Sequence, residues 1–542
     1  MDWSQGRRFG ARVQSEFDYI VVGSGSGGSV VASRLSEDPN LSVLLVEAGG
    51  SDKSLKIAMP GLASSLFGDP KYDWCFTAES DQTRAGQRDY MPRGKVLGGT
   101  SAINAMCFLR GSIEDFDDWA SLGNEDWDYR SVLPYFRKLE SYEGGENVTR
   151  GNTGPQPVSF LRSAHPMSKI FLDASVRHGA KHIPDLNSGE YEGAGFPQVS
   201  QLKGSRYSAA RSYVWPATKR RNFRLLLQTQ VRRVLFENRR ATGVEVIRGG
   251  RRTIFKARKG VVLSGGVFGS PHILMLSGIG PAEQLRRVGI DVLVDAPGVG
   301  RNLQDHAGTR HVVRVDTRTL NMIIGPMEKL AAGLRWLFLG QGPAASSMTQ
   351  VVLTRKLDSG NQLSRFQVLF TPGAYDLGPN GPRFLDRPAV TAIVNVHRPY
   401  SSGHLELASA DAREPLKIHP NLFADERDAD TLVAGHKILR EIFDTEPLRA
   451  RAIEELRPGV SLQSDDALKA FVKETAKGIF HPAGTCKMGT DPFAVVGSRL
   501  SVYGVQNLYV ADASVMPFVV SANLSATCMM IGERLAEWLK AA

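Results

Sequence analysis

The stretch IFHPAGTCKMGTD, residues 479–491, sets His481 before a proline and Cys486 five places on. Four kinds of chemistry fit those residue types. The pair could ligate a metal, or set a thiol nucleophile beside its base. It could shape a loop without chemistry, or leave His481 as a lone proton acceptor, because an imidazole titrates near neutrality. No further ligands stand nearby and no CxxC pair exists in the chain, so no metal centre is expected. Cys486 reads as a small buried packing residue. Forty-two residues after His481 comes Asn523, in SANLSA. Its amide can both donate and accept, toward a substrate or as a backbone cap.

A second chemical pattern stands near the N-terminus. Residues 18–28 read DYIVVGSGSGG. Tyr19–Val22 predicts a buried strand, Ser29–Ser36 a helix, and Ser42–Val46 a second strand ending at Glu47. Between strand and helix lies Gly23-x-Gly25-x-x-Gly28. The first glycine permits a tight turn, the second lets a pyrophosphate approach the backbone, and the third lets helix pack on strand. The helix start, with Ser26, offers free N–H groups to phosphates. Glu47, 19 residues after Gly28, can accept from ribose hydroxyls and disfavours a 2′-phosphate. The order strand, glycine turn, helix, strand, acid points to a dinucleotide. It does not separate FAD from NAD.

Further along, residues 94–117 read GKVLGGTSAINAMCFLRGSIEDFD, residues 266–280 GVFGSPHILMLSGIG, and residues 298–306 GVGRNLQDH. The apolar run Gly260–Leu263 reads as a buried strand returning to the first domain, and Asn507–Val510 as one more short strand, ending at Ala511-Asp512-Ala513. A helical stretch, Thr527–Leu539, closes the chain. These segments together resemble the glucose–methanol–choline (GMC) family of FAD-dependent oxidoreductases, from Phe17 to the last helix. One departure inside the second of them is Val267, where a smaller residue is usual.

The resemblance implies α/β and α+β architecture: a Rossmann-like FAD-binding domain and a substrate domain with a large antiparallel sheet and helices. The expected boundaries are 17–160, 212–312 and 480–542 for the first, and 161–211 and 313–479 for the second. Residues 1–16 are expected to be a flexible extension, and Gly144–Gly154 a polar loop serving as boundary or lid. The resemblance also implies roles. Glu47 and Ala48 hold the adenosine ribose, and Val231 meets the adenine. Gly98, Gly99, Ser101, Asn104, Ala105 and Met106 lie along the flavin. Gly265, Asp512, Ala513, Asn523 and Leu524 approach from the other side, and Trp74, in YDW, contacts the cofactor region. Members that tether FAD covalently can carry a histidine before the asparagine of the first segment. Here Ile103 precedes Asn104, so FAD is expected to be non-covalent.

With flavin as electron sink, His481 is expected to be the general base of an alcohol oxidation, and Asn523 to orient the substrate oxygen. Hydride then passes from the carbinol carbon to flavin N5. His306 and His397 read as structural, and His165, His178 and His182 have no matching ligand set. The substrate is expected to be a small primary or benzylic-type alcohol, with molecular oxygen or another carrier as acceptor. Non-redox or light-driven chemistry, of lyase or photodecarboxylase type, is the alternative on the same scaffold. A binding flavoprotein without turnover is a third reading.

Composition bounds these readings. At 542 residues the chain exceeds one hydrophobic core. Four scattered cysteines suit a reducing compartment rather than a disulfide scaffold. The net charge of +10 gathers partly in Lys219-Arg220-Arg221 and in 248–259, without the interleaved aromatics of a base-stacking surface, so no nucleic-acid partner is expected. No transmembrane run exists. Arg7-Arg8-Phe9 lacks the apolar stretch an export signal needs, so a cytoplasmic protein is expected.

Overall fold

A computed structural model of the chain describes residues 15–359, 362–378 and 381–541. Among the described residues two large sheets dominate. The first has the strand order Phe223–Leu226, Val43–Val46, Glu16–Val22, Arg251–Leu263, Arg240–Arg248, Gln230–Glu237, with Leu508–Val510 also paired to Arg251–Leu263. Its central pairs are parallel. That arrangement buries both faces, and it explains why Val43–Val46 reads VLLV with no polar interruption. The strand Arg251–Leu263 is far longer than the run Gly260–Leu263 suggested. Its first half pairs antiparallel with Arg240–Arg248, and its last half pairs parallel with Glu16–Val22. Basic residues on the exposed side of the first half mask it in the sequence.

The helix that follows the glycine turn spans Ser26–Leu35, three residues earlier than predicted, with Gly25 as its N-cap. It is buried along almost its whole length, packed between the sheet and the C-terminal helix Ser525–Ala541. Glycine at 27 makes this close approach possible, since a Cβ there would lie 2.2 Å from the Ala511 carbonyl oxygen. Across the same interface Arg34 donates to Glu533, which also accepts from the Tyr213 hydroxyl at 2.9 Å.

The second sheet is antiparallel, with the order Ala452–Arg457, Ala307–Val315, Ala389–Val396, Gln362–Thr371, Val351–Ser359, Gly193–Gly195. Its strands alternate, so each face has its own task. Phe366, Val368, Phe370, Ala392, Val394 and Val313 enter one apolar core, covered by the helices Pro166–Arg177 and Glu426–Phe443. The opposite face, with Gly308, Arg310, Leu369 and Ile393, looks into a cavity.

The expected extension over 1–16 lies outside the described residues except at its end. There Ser15 accepts from the Lys256 N–H at 2.7 Å and Glu16 opens the first strand. These two residues are therefore ordered, because the long strand offers its ladder to them. The stretch Gly144–Gly154 joins two short paired strands, Glu140–Tyr142 and Gln156–Val158. No helix among the described residues is long and apolar enough to cross a membrane.

Candidate active site

One cavity of about 1050 Å³ runs between the two sheets, at the upper end of the roughly 300–1,000 Å³ usual for small-molecule sites. Part of its wall is built by the first glycine turn. Gly23 has φ +94°, and a Cβ there would meet the Ser264 carbonyl oxygen at 2.3 Å. Gly25 differs: a Cβ added to it meets nothing within 4 Å, so its backbone faces the open cavity. Gly28 faces the other way, where a Cβ would sit 2.0 Å from the Gly23 carbonyl oxygen. Glu47 is buried and accepts from the Ser24 hydroxyl at 2.6 Å, the Ser24 N–H at 3.0 Å and the Gly49 N–H at 2.7 Å. Burial pushes its carboxyl above the ordinary range, and those hydrogen bonds oppose the rise.

The structure brings most of the predicted cofactor residues to this wall. Gly23, Gly25, Ser26, Glu47, Ala48, Trp74, Gly99, Ser101, Asn104, Ala105, Met106, Val231, Gly265, Asp512, Ala513 and Leu524 all line it. Gly28 and Gly98 do not. Gly28 serves the helix packing just described. Gly98 lies behind the wall, donating its N–H to the Ser24 hydroxyl at 3.1 Å with φ +94°. Asn104 keeps its carbonyl oxygen for the protein, accepting from Arg206 at 2.9 Å and from the Met106 N–H at 3.0 Å. Arg206 is buried, which pulls its guanidinium down to about 9, and no sequence motif marked it. Asp512 is likewise occupied by protein partners, accepting from the Gly266 N–H at 2.9 Å and the Ser270 hydroxyl at 2.6 Å.

His481 and Asn523 stand together on the cavity wall, with Asn523 Nδ2 donating to His481 Nε2 at 2.8 Å. His481 Nδ1 lies 3.0 Å from His306 Nδ1. With Asn523 donating to one ring nitrogen, the other must carry the proton and donate to His306. His481 is thus held as the tautomer protonated at Nδ1, whose Nε2 lone pair accepts from Asn523 at the cavity wall. Burial, and then the nearby His306, Arg93 and His397, hold its pKa well below 6.5, so the ring is neutral at physiological pH. The backbone contributes too. The His481 N–H donates to Asp305 Oδ1 at 2.8 Å, and Phe480 just before it has φ +73°, a strained conformation for a bulky residue. Burial raises Asp305 to about 7, opposed by Arg93.

Sequence reasoning left His306 and His397 as structural, and it missed what they touch. Both are fully buried. Burial lowers His306 to about 4 and His397 to about 3. His306 backs the His481 ring, while His397 hydrogen-bonds the Tyr191 hydroxyl. GVGRNLQDH held the signal, since Asp305 and His306 both sit there. Cys486 is fully buried, packed in the first core and absent from the cavity wall, so it is no nucleophile for a ligand there. Among the described residues His404, Glu406 and His419 bring metal-ligand atoms within 4.8 Å of one another; none belongs to this cavity.

Comparison with known proteins agrees with this geometry. Family models described as GMC oxidoreductase match residues 17–308, the N-terminal part, and 399–532, the C-terminal part. The chain is 40% identical over 538 residues to the mitochondrial choline dehydrogenase of Mus musculus, covering 97% of this chain and 90% of the relative. It is 37% identical over 526 residues to the oxygen-dependent choline dehydrogenase of Sinorhizobium fredii, covering 96% and 95%. Among solved structures, a formate oxidase of Aspergillus oryzae superposes with a TM-score of 0.90 at 28% identity, covering 98% of this chain and 99% of that one.

Proposed function

The chain belongs to the GMC oxidoreductase family and is an FAD-dependent oxidoreductase acting on CH–OH donors, and we propose that it oxidises a neutral primary alcohol to its aldehyde, with His481 accepting the hydroxyl proton. The observation that carries this reading is the His481–Asn523 pair, 2.8 Å apart at the cavity wall. FAD, when bound, supplies the acceptor for the hydride that leaves the carbinol carbon. The residues present fit that cofactor: Gly25 opens toward the phosphate side, and the Asn523 carbonyl oxygen is buried without a partner. Non-covalent attachment is part of the proposal, since Ile103 holds the position where a tethering histidine would stand.

An alcohol hydroxyl that enters between the two side chains replaces their direct bond: its oxygen accepts from Asn523 Nδ2 and its proton is donated to the His481 Nε2 lone pair. The neutral ring then takes the proton as alkoxide character develops. His306 keeps the ring in the competent tautomer, and Asp305 fixes its backbone. On the side of the antiparallel sheet the wall sets Met348, Leu369, Ile393 and Ile479 beside the charged Arg310, Asp376, Arg457, Glu474 and Lys477. A quaternary ammonium would seek a carboxylate there. Asp376 is already shared by Arg457 at 2.6 Å and Arg310 at 3.1 Å, and the cations Arg310, Arg457 and Lys477 outnumber the carboxylates Asp376 and Glu474 on this side of the wall, which favours a neutral alcohol over choline.

The test is an anaerobic titration of the purified flavoprotein with choline, benzyl alcohol and straight-chain primary alcohols, reading the visible flavin band. Bleaching by neutral alcohols at a rate above that of choline is the expected result. Preference for choline would overturn the substrate class, and a flavin that no alcohol bleaches would overturn the reaction. Admitting oxygen afterwards separates oxidase from dehydrogenase. Asn523→Ala is expected to retain FAD but lose about tenfold in kcat/KM, the share of one substrate hydrogen bond worth roughly 1–1.5 kcal/mol. Steady-state kinetics measure it, and unchanged values would remove Asn523 from substrate orientation.

A further inference from the structure

The helix Pro326–Leu339, PMEKLAAGLRWLFL, presents its apolar residues to solvent instead of to a core. Met327, Leu330, Leu334, Leu337, Phe338 and Leu339 are between 45% and 77% exposed. All but Leu339 recur at intervals of three and four, the spacing of one helix face. The helix is nonetheless anchored. Trp336 is buried and donates its indole N–H to the Gly204 carbonyl at 3.0 Å. Gly204 and Gly340 pack so closely that a Cβ on Gly204 would lie 2.2 Å from the Gly340 carbonyl oxygen. The hairpin Gln201–Arg206 is thereby held at the helix end, and it adds an exposed Leu202 and an exposed Lys203 to the same surface. An apolar patch of this kind on a water-soluble surface marks a binding face.

We propose that this face docks the protein on an anionic lipid bilayer, the helix lying in the plane of the interface. Charge selects that occupant. Lys329, Arg335 and Lys203 are exposed around the apolar residues, on a chain of net charge +10. Glu328, the single acid on the helix, is taken by Arg318. A second copy laid on this face about a two-fold axis would bring Lys329 and Arg335 of both copies together with no carboxylate on the helix free to meet them. Lipid phosphates meet them directly, while the leucines and Phe338 enter the acyl boundary, as in other interfacial helices. The helix is too short to span a bilayer, so the binding is peripheral.

Flotation of the FAD-loaded full chain tests this. It should float with vesicles of phosphatidylcholine mixed with phosphatidylglycerol, and at least tenfold less with phosphatidylcholine alone. The pair Leu334→Asp with Phe338→Asp should lose about tenfold or more of the bound fraction, as should Lys329→Glu with Arg335→Glu. All four positions are exposed, and flavin reduction in solution should be unchanged, which controls for folding. A wild-type chain that fails to float, or variants that float equally, would overturn the proposal. So would a dimer in sedimentation analysis that the aspartate pair converts to monomer, because a second copy would then be the occupant.

Discussion

His481→Ala is expected to keep FAD bound and to slow flavin reduction by alcohol about 10²-fold or more, the scale of lost general-base catalysis. Binding should survive because the glycine turn and Glu47, proposed to hold the phosphates and ribose, make no hydrogen bond to His481. The rate falls because the variant loses the ring nitrogen that stands beside Asn523. The pH dependence carries the sharper test. Catalysis needs the neutral ring, so the rate must drop as pH falls through its folded pKa. Burial, His306 and Arg93 set that value well below 6.5. The acidic limb of kcat/KM should therefore lie below pH 6.5, with a plateau from there through neutrality, and it should vanish in the variant. Stopped-flow reduction across pH decides it. A limb centred above pH 7, or an unchanged rate in His481→Ala, would remove this residue from the proton transfer.

Local features were legible in the sequence, and long-range ones were not. The turn Gly23–Gly28 could be read because its constraints act within a few residues: a left-handed φ, an open backbone, a helix start. The large antiparallel sheet followed from the family resemblance rather than from periodicity. Its strand Ala307–Val315 shows why. Gly308 and Arg310 face the cavity while His311 and Val313 face the core, and both faces mix polar with apolar residues. The contact that His306 makes could not be read for a related reason. Its partner, His481, is 175 residues away, and nothing in either local stretch announces the contact. The helix Pro326–Leu339 is the converse case. Its apolar periodicity is that of a core helix, and only the tertiary structure shows that the face is left uncovered.

Gly25→Ala and Gly28→Ala should separate the two tasks of one turn. The first has φ −66° as helix N-cap, a conformation alanine adopts freely. Its new methyl meets no protein atom within 4 Å, so the melting temperature of the FAD-free chain should stay within a few degrees of wild type. The methyl would instead occupy the space where the phosphates approach. Affinity for FAD should fall roughly ten- to a hundredfold, about 1–3 kcal/mol of overpacking against a ligand that cannot move away. Gly28→Ala should behave in the opposite way. Its Cβ would be pressed to 2.0 Å from the Gly23 carbonyl oxygen and 2.8 Å from Ser264 Cβ. Neither the backbone oxygen nor the short serine can yield, so helix and strand must part, at about 3 kcal/mol or more. FAD loss would then follow from the fold's own instability. Thermal unfolding of the FAD-free proteins, set beside FAD titration of each, distinguishes these outcomes. A Gly25→Ala chain that binds FAD as tightly as wild type would move the phosphates away from this turn. A Gly28→Ala chain as stable as wild type would mean that the close helix–strand contact is not what holds the turn.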